Sequence, residues 1–176
     1  MNCKVNKTLL YVFTSFLFFA FTTENNSKVS AQGFSAGDDI AVYDFDALEP
    51  LLYTDSDKTH IVNFWAMWCA PCVKELPVFR EYAKNNPDVE MVFVSLDFPE
   101  DIETRLIPFL KKKGISSKVV LLDDPDSNSW IDKIDPNWSG AIPFTIIFNN
   151  KNRSFYERTF ENIQDLESEV TKTINK

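Results

Sequence analysis

The chain has 176 residues, enough for one compact domain and too few for two ordinary ones. A hydrophobic fraction of 44% with 16 phenylalanines can fill a packed core, which excludes disorder as a description of the whole. The net charge of −8, with no basic cluster, excludes nucleic acid as a partner.

Lys4 and Lys7 precede the apolar run LLYVFTSFLFFAF, and a polar stretch ends in Val29-Ser30-Ala31. A basic head, an apolar middle and small residues before a cut describe a secretory signal peptide over 1–31. The run is short of the ~20 residues that span a bilayer. An uncleaved membrane anchor is the alternative. No cysteine follows the run, which argues against a lipoprotein, and Cys3 would leave with the leader. The remaining 32–176 segment is then one domain with a single cysteine pair, Cys69 and Cys72. One bridge across so small a loop constrains the unfolded chain little, so the pair asks for another explanation.

In chain order, VYDFDALEPLL (Val42–Leu52) has helical spacing through Phe45, Leu48 and Leu52. HIVNFWA (His60–Ala66) is a buried strand by its density of β-formers. CVKELPVFREYAKNN (Cys72–Asn86) places Val73, Leu76, Phe79 and Tyr82 on one helical face, with Pro77 inside it. VEMVFVSLDF (Val89–Phe98) is a second buried strand. ETRLIPFLKKKG (Glu103–Gly114) is a helix with a basic last turn and a glycine stop. Lys118–Leu122 is a short strand and Ser127–Ile134 a short helix. Pro143–Asn150 and Ser154–Phe160 form a hairpin about Asn150–Asn152, and Asn162–Ile174 closes the chain as an amphipathic helix. βα units followed by a hairpin and a helix give an α/β sandwich on a mixed sheet.

Cys69 lies where the strand His60–Ala66 passes into the next helix. Unpaired backbone N–H groups and the positive end of the helix dipole stabilise a thiolate there. Cys69 is therefore expected to be the more acidic and more exposed thiol, in the range of about 3.5 to 7.5 for such motifs. Cys72, one turn further in, is placed to resolve a mixed disulfide. A zinc site would need more ligands than the pair and the lone His60 at the far end of the strand provide. A structural bridge is the other alternative. His60 is also too far along its own strand to serve as a base for a cysteine nucleophile.

The string FWAMWCAPCVKELP resembles the thioredoxin family and, more narrowly, its exported TlpA/ResA-type branch. In that branch a glutamate follows the second cysteine by three positions and a proline by five, and Glu75 and Pro77 stand there. SGAIPFTIIF resembles the family's cis-proline loop at Ile142-Pro143. The resemblance implies a thioredoxin-like fold, a central mixed β-sheet flanked by helices. It also implies roles: Cys69 as attacking thiolate and Cys72 as resolving thiol. Glu75, three positions past Cys72 on the same helical face, is placed to accept the Cys72 proton or to raise a thiol pKa by its charge. Trp68 would cover the dithiol, with Ala70, Pro71, Ile142 and cis Pro143 receiving an extended substrate.

Cytosolic thioredoxins carry an aspartate where this chain has Asn63, which leaves proton handling to Glu75. A solvated Glu75 paired with Arg80 or a lysine is the bland alternative. Trp138 is expected either to border the substrate groove or to pack in the core. The resemblance implies no cofactor beyond the redox-active Cys69–Cys72 disulfide. Implied partners are disulfide-containing exported proteins and a membrane electron donor, with a periplasmic location, an N-terminal tether as the alternative to a cleaved leader, and a task in cytochrome c maturation. A disulfide oxidase or isomerase, or a binding module with an idle dithiol, are the rival functions. Asp124, Asp126 and Asn128 alternate as in a calcium loop but lack its glycine and closing glutamate. Asp126 or Ser127 as a helix cap is the preferred reading.

Overall fold

The computed structural model describes residues 39–176. The leader expected over 1–31 lies outside them. Among the described residues, no helix is long and apolar enough to cross a membrane. The order is β1 (Ala41–Tyr43), α1 (Phe45–Leu52), β2 (His60–Trp65), α2 (Ala70–Asn85) and β3 (Glu90–Ser95). A 3₁₀ turn (Pro99–Asp101) and a π-helical turn (Ile102–Leu106) lead into α3 (Ile107–Lys113). Then come β4 (Lys118–Leu122), α4 (Ser127–Ile134), β5 (Phe144–Phe148), β6 (Arg153–Tyr156) and α5 (Ile163–Ile174).

One sheet of six strands runs β1-β4-β3-β2-β5-β6. The first four of these strands pair parallel, and β5 and β6 are antiparallel additions. The sheet is therefore mixed, as the element order implied. All six residues of β2 are buried, because helices cover both faces of the strand. Alternation sends Ile61 and Trp65 to the face packed by Leu76, Phe79, Leu110 and Leu166, and Val62 and Phe64 to the face packed by Phe45, Leu48 and Trp130. Asn63, between Ile61 and Trp65, must then point towards α2.

Three expected boundaries are corrected. The helix read from Val42 begins at Phe45, because Ala41–Tyr43 pair with β4 and the Asp44 carboxylate caps α1 by accepting the Ala47 N–H at 2.9 Å. The helix read from Glu103 opens as a π turn, with Ile107 N–H bonded to the Ile102 carbonyl. Pro108 has no N–H for an ordinary i−4 bond, which accounts for the wider turn just before it. The last strand ends at Tyr156 rather than Phe160, freeing the following residues to fold back over α2. The glycine stop is present: Gly114 takes φ 65° and its N–H bonds the Leu110 and Lys111 carbonyls.

The Asp124–Asn128 segment also differs from expectation. Asp126 occupies the N-cap position of α4 without a side-chain cap bond. Asp124 instead accepts the Phe45 N–H at 3.1 Å and the Asp126 N–H at 3.2 Å, tying the start of α1 to this loop.

Candidate active site

Parallel β2 and β3 end together, with Trp65 opposite Ser95, and antiparallel β5 starts at the same edge, with Phe64 opposite Phe144. The crevice outside the carboxyl ends of parallel strands is where α/β sheets place their chemistry. Here the chain turns after Ala66, whose carbonyl accepts the Cys69 N–H at 3.2 Å, and enters α2. Cys69 is the N-cap residue of α2, and its Sγ accepts the Cys72 N–H at 3.2 Å. The two cysteines form a disulfide with a Cα separation of 5.3 Å.

Cys69 is 5% exposed and Cys72 is closed off completely. The expected order of exposure holds, but Cys69 offers only a sliver of its surface. The Ile142 carbonyl lies 3.6 Å from Cys69 Sγ.

That carbonyl belongs to a cis Ile142-Pro143 peptide bond. The loop before it is fixed from below. Gly140 has φ 86°, and a Cβ there would stand 3.0 Å from Ile131 Cδ1, so only glycine fits without a shift. Trp138 Nε1 donates to the Ala141 carbonyl at 2.8 Å. Ser139 donates its backbone N–H at 2.9 Å and its hydroxyl to the Glu157 carboxylate. Trp138 is buried, its ring stacked 4.1 Å from Phe144, so it supports the loop from the core and does not border a groove.

Trp68, expected to cover the dithiol, is 63% exposed beside it. Ala70 and Pro71 are exposed in the first turn of α2.

Glu75, one turn beyond Cys72 on the same face of α2, is 1% exposed. Oε1 accepts the Asn63 amide at 2.9 Å and Oε2 accepts the Phe160 N–H at 2.8 Å. It makes no pair with Arg80, whose guanidinium donates instead to the Lys113 carbonyl at 2.6 Å. Burial pushes the Glu75 carboxyl up to about 7, against the two hydrogen bonds, which favour the anion. Asn63 also donates to Thr145 Oγ1 at 3.0 Å, directly across the β2–β5 pairing.

Two polar groups escaped the sequence reading. Asp97, buried, accepts the Met67 N–H at 3.1 Å through each oxygen and the Ser95 hydroxyl at 2.7 Å. It braces the turn that delivers Cys69, and burial raises its carboxyl above the usual range. A serine and an aspartate closing an apolar strand, S-L-D, was the available signal. Thr145 could have been found as the one polar residue in FTIIF, placed opposite Asn63 by the strand register. Among the described residues, no group of His, Cys, Asp and Glu side chains could hold a metal.

A family model for thioredoxin matches residues 46–110. A thioredoxin from Rickettsia typhi is 32% identical over 94 residues, covering 45% of this chain and 84% of the relative. The chain belongs to the thioredoxin family. The sporulation thiol-disulfide oxidoreductase A of Bacillus subtilis is 35% identical over 75 residues, or 42% of this chain. That match spans slightly under half of the Bacillus protein's length, at 46%. Among solved structures, a thioredoxin-related protein from Neisseria meningitidis serogroup B aligns with a TM-score of 0.55 and 29% identity, covering 68% of this chain and 87% of the other. The thioredoxin-family CxxC pair is thus present as a disulfide at the N-terminus of α2.

Proposed function

We propose that this protein is an exported thiol-disulfide oxidoreductase that reduces disulfides in other exported proteins. The observation that carries the reading is Cys69 Sγ at the N-cap of α2, bonded to Cys72 and lying against the Ile142 carbonyl of the cis-proline loop. In the reduced protein the Cys72 N–H and the helix dipole favour a Cys69 thiolate. That thiolate attacks one sulfur of a substrate disulfide. The substrate S–S bond breaks, a mixed disulfide forms on Cys69, and the departing sulfur takes a proton from solvent.

Cys72 then gives its proton to the Glu75 carboxylate, and its sulfur attacks Cys69 Sγ. The second substrate sulfur leaves, and the Cys69–Cys72 bond closes. Two electrons have passed from protein to substrate. A carboxyl near 7 is suited to this task at neutral pH, since it can both accept and return a proton. The extended substrate pairs with the Ile142 backbone while Trp68, Ala70 and Pro71 line its path.

Export is supported by the leader-like first 31 residues and by Glu75 and Pro77 in the TlpA/ResA-type positions. A location facing the periplasm then calls for a membrane electron donor to regenerate the dithiol. The disulfide between the haem-attachment cysteines of cytochrome c is the substrate that the branch suggests.

The direction of electron flow rests on Ala70-Pro71, which lacks the histidine that stabilises the thiolate in strong oxidants. Equilibration of the protein with thiol buffers tests this. A potential of about −270 mV supports a reductant, and one of about −120 mV overturns the direction in favour of an oxidase.

A further inference from the structure

Two large apolar side chains stand in solvent at the dithiol edge: Trp68 at 63% and Phe98 at 58% exposure. Their segments leave neighbouring strands of the sheet. Trp65 pairs with Ser95, and the Leu96 N–H bonds the Trp65 carbonyl at 2.8 Å, so residues 66–68 and 96–98 leave the sheet side by side. Asp97 then ties the two exits together through the Met67 N–H. Trp68 has a role in the exchange site already described. Phe98 has none, and it makes no contribution to the core.

The segment after Phe98 is charged and irregular. Glu100 and Glu103 are exposed, and neither forms an ion pair among the described residues. Arg105, the one cation in the turn, is held by Asp101 at 2.9 Å. The turn from Ile102 to Leu106 is π-helical, a form that recurs at functional sites. The edge that carries Trp68 and Phe98 is thus followed in sequence by two exposed carboxylates without an ion partner among the described residues. A second copy of the chain, at a net charge of −8, is repelled from such an edge, and so is an anionic surface.

We propose that Phe98 and Trp68 form one docking strip, and that Glu100 and Glu103 select polypeptide substrates carrying an apolar side chain beside lysine or arginine near the disulfide. The proposal rests on the exchange function above and adds the substrate class. Electrostatic complementarity at such a rim acts on the rate of encounter and is weakened by salt.

The test uses the reduced protein with three probes. One is hydroxyethyl disulfide, small and neutral. The others are two peptide disulfides of the same sequence, each with a phenylalanine, flanked by lysines in one and glutamates in the other. At low ionic strength the lysine peptide is expected to be reduced about tenfold faster than the glutamate peptide, and salt at about 0.5 M should remove most of the difference. Glu100→Gln with Glu103→Gln should bring the two peptides together. Phe98→Ser, at an exposed position where folding is little affected, should lower the ratio of peptide to hydroxyethyl disulfide rates several-fold. Equal rates on the two peptides, or an unchanged ratio in Phe98→Ser, overturn the docking strip while leaving the exchange function standing. A wild-type protein that leaves hydroxyethyl disulfide intact sinks the exchange function and the docking strip with it.

Discussion

Glu75 Oε2 accepts the Phe160 N–H at 2.8 Å, across 85 positions of sequence. The bond exists because β6 stops at Tyr156 and the chain folds back over α2 before α5 begins. It joins the helix of the dithiol to the C-terminal part of the fold through a carboxylate that is itself almost wholly out of water.

Stability should carry the signature of that carboxylate. Burial raises it from the usual 4.5 to about 7, so between those values the folded chain holds a proton that the unfolded chain has released. Stability therefore falls as pH rises through that window, by on the order of 3 kcal/mol, and Glu75 adds no further slope above it. In Glu75→Gln this part of the slope disappears. Urea midpoints at pH 5 and pH 8 should lie closer together in the variant than in the wild type. An equal spacing would show that Glu75 titrates normally. Asp97 slopes in the same sense and His60, lowered by burial, in the opposite one, so the comparison between variant and wild type isolates Glu75.

Turnover should report the same group in a different way. If Glu75 takes the proton of Cys72, Glu75→Gln slows resolution of the mixed disulfide by about 100-fold and removes an inflection near neutral pH. Rapid-quench measurement of the mixed disulfide across pH 5.5–8.5 checks this. An unchanged profile would limit Glu75 to a structural part.

Asn63→Asp would set a second carboxyl against Glu75. Two such groups at hydrogen-bond distance cannot both ionise, so one proton is retained well above neutrality. The variant should lose about 1–3 kcal/mol at pH 8 and regain most of it at pH 5, as read from thermal or urea unfolding.

Asp97→Ala leaves the Met67 N–H and the Ser95 hydroxyl without their partner. A cost of about 1–3 kcal/mol is expected, with Asp97→Asn milder because one acceptor survives. Because Met67 lies two residues before Cys69, alkylation of the reduced Cys69 should also change in rate. Destabilisation with an unaltered alkylation rate would show that Asp97 braces the strand ends alone.

Trp68→Ala separates surface from core. At 63% exposure the ring supports little packing, so stability should stay within about 0.5 kcal/mol. Reduction of a protein disulfide should slow while the fold holds.

The site was legible in the sequence where local pattern and position coincide. Cys69, Cys72 and Glu75 follow from a strand end and one helical turn, and Ile142-Pro143 from the resemblance of its loop. What was not legible depends on pairing between distant segments. Asn63 meets Thr145 only through the β2–β5 register, and Glu75 meets Phe160 only because β6 ends early. β1 was hidden because three residues are too few to show a period, and its helix-like neighbours absorbed them. Trp138 is settled by contacts with Phe64, Trp130 and Phe144, which come from three separate elements.

Cys72→Ser provides the most direct test that Cys69 performs disulfide exchange. The reduced variant, mixed with a peptide disulfide, should accumulate a covalent adduct on Cys69 that a reductant releases, and Cys69→Ser should accumulate none. A Cys72→Ser protein that folds normally yet forms no adduct would contradict the account.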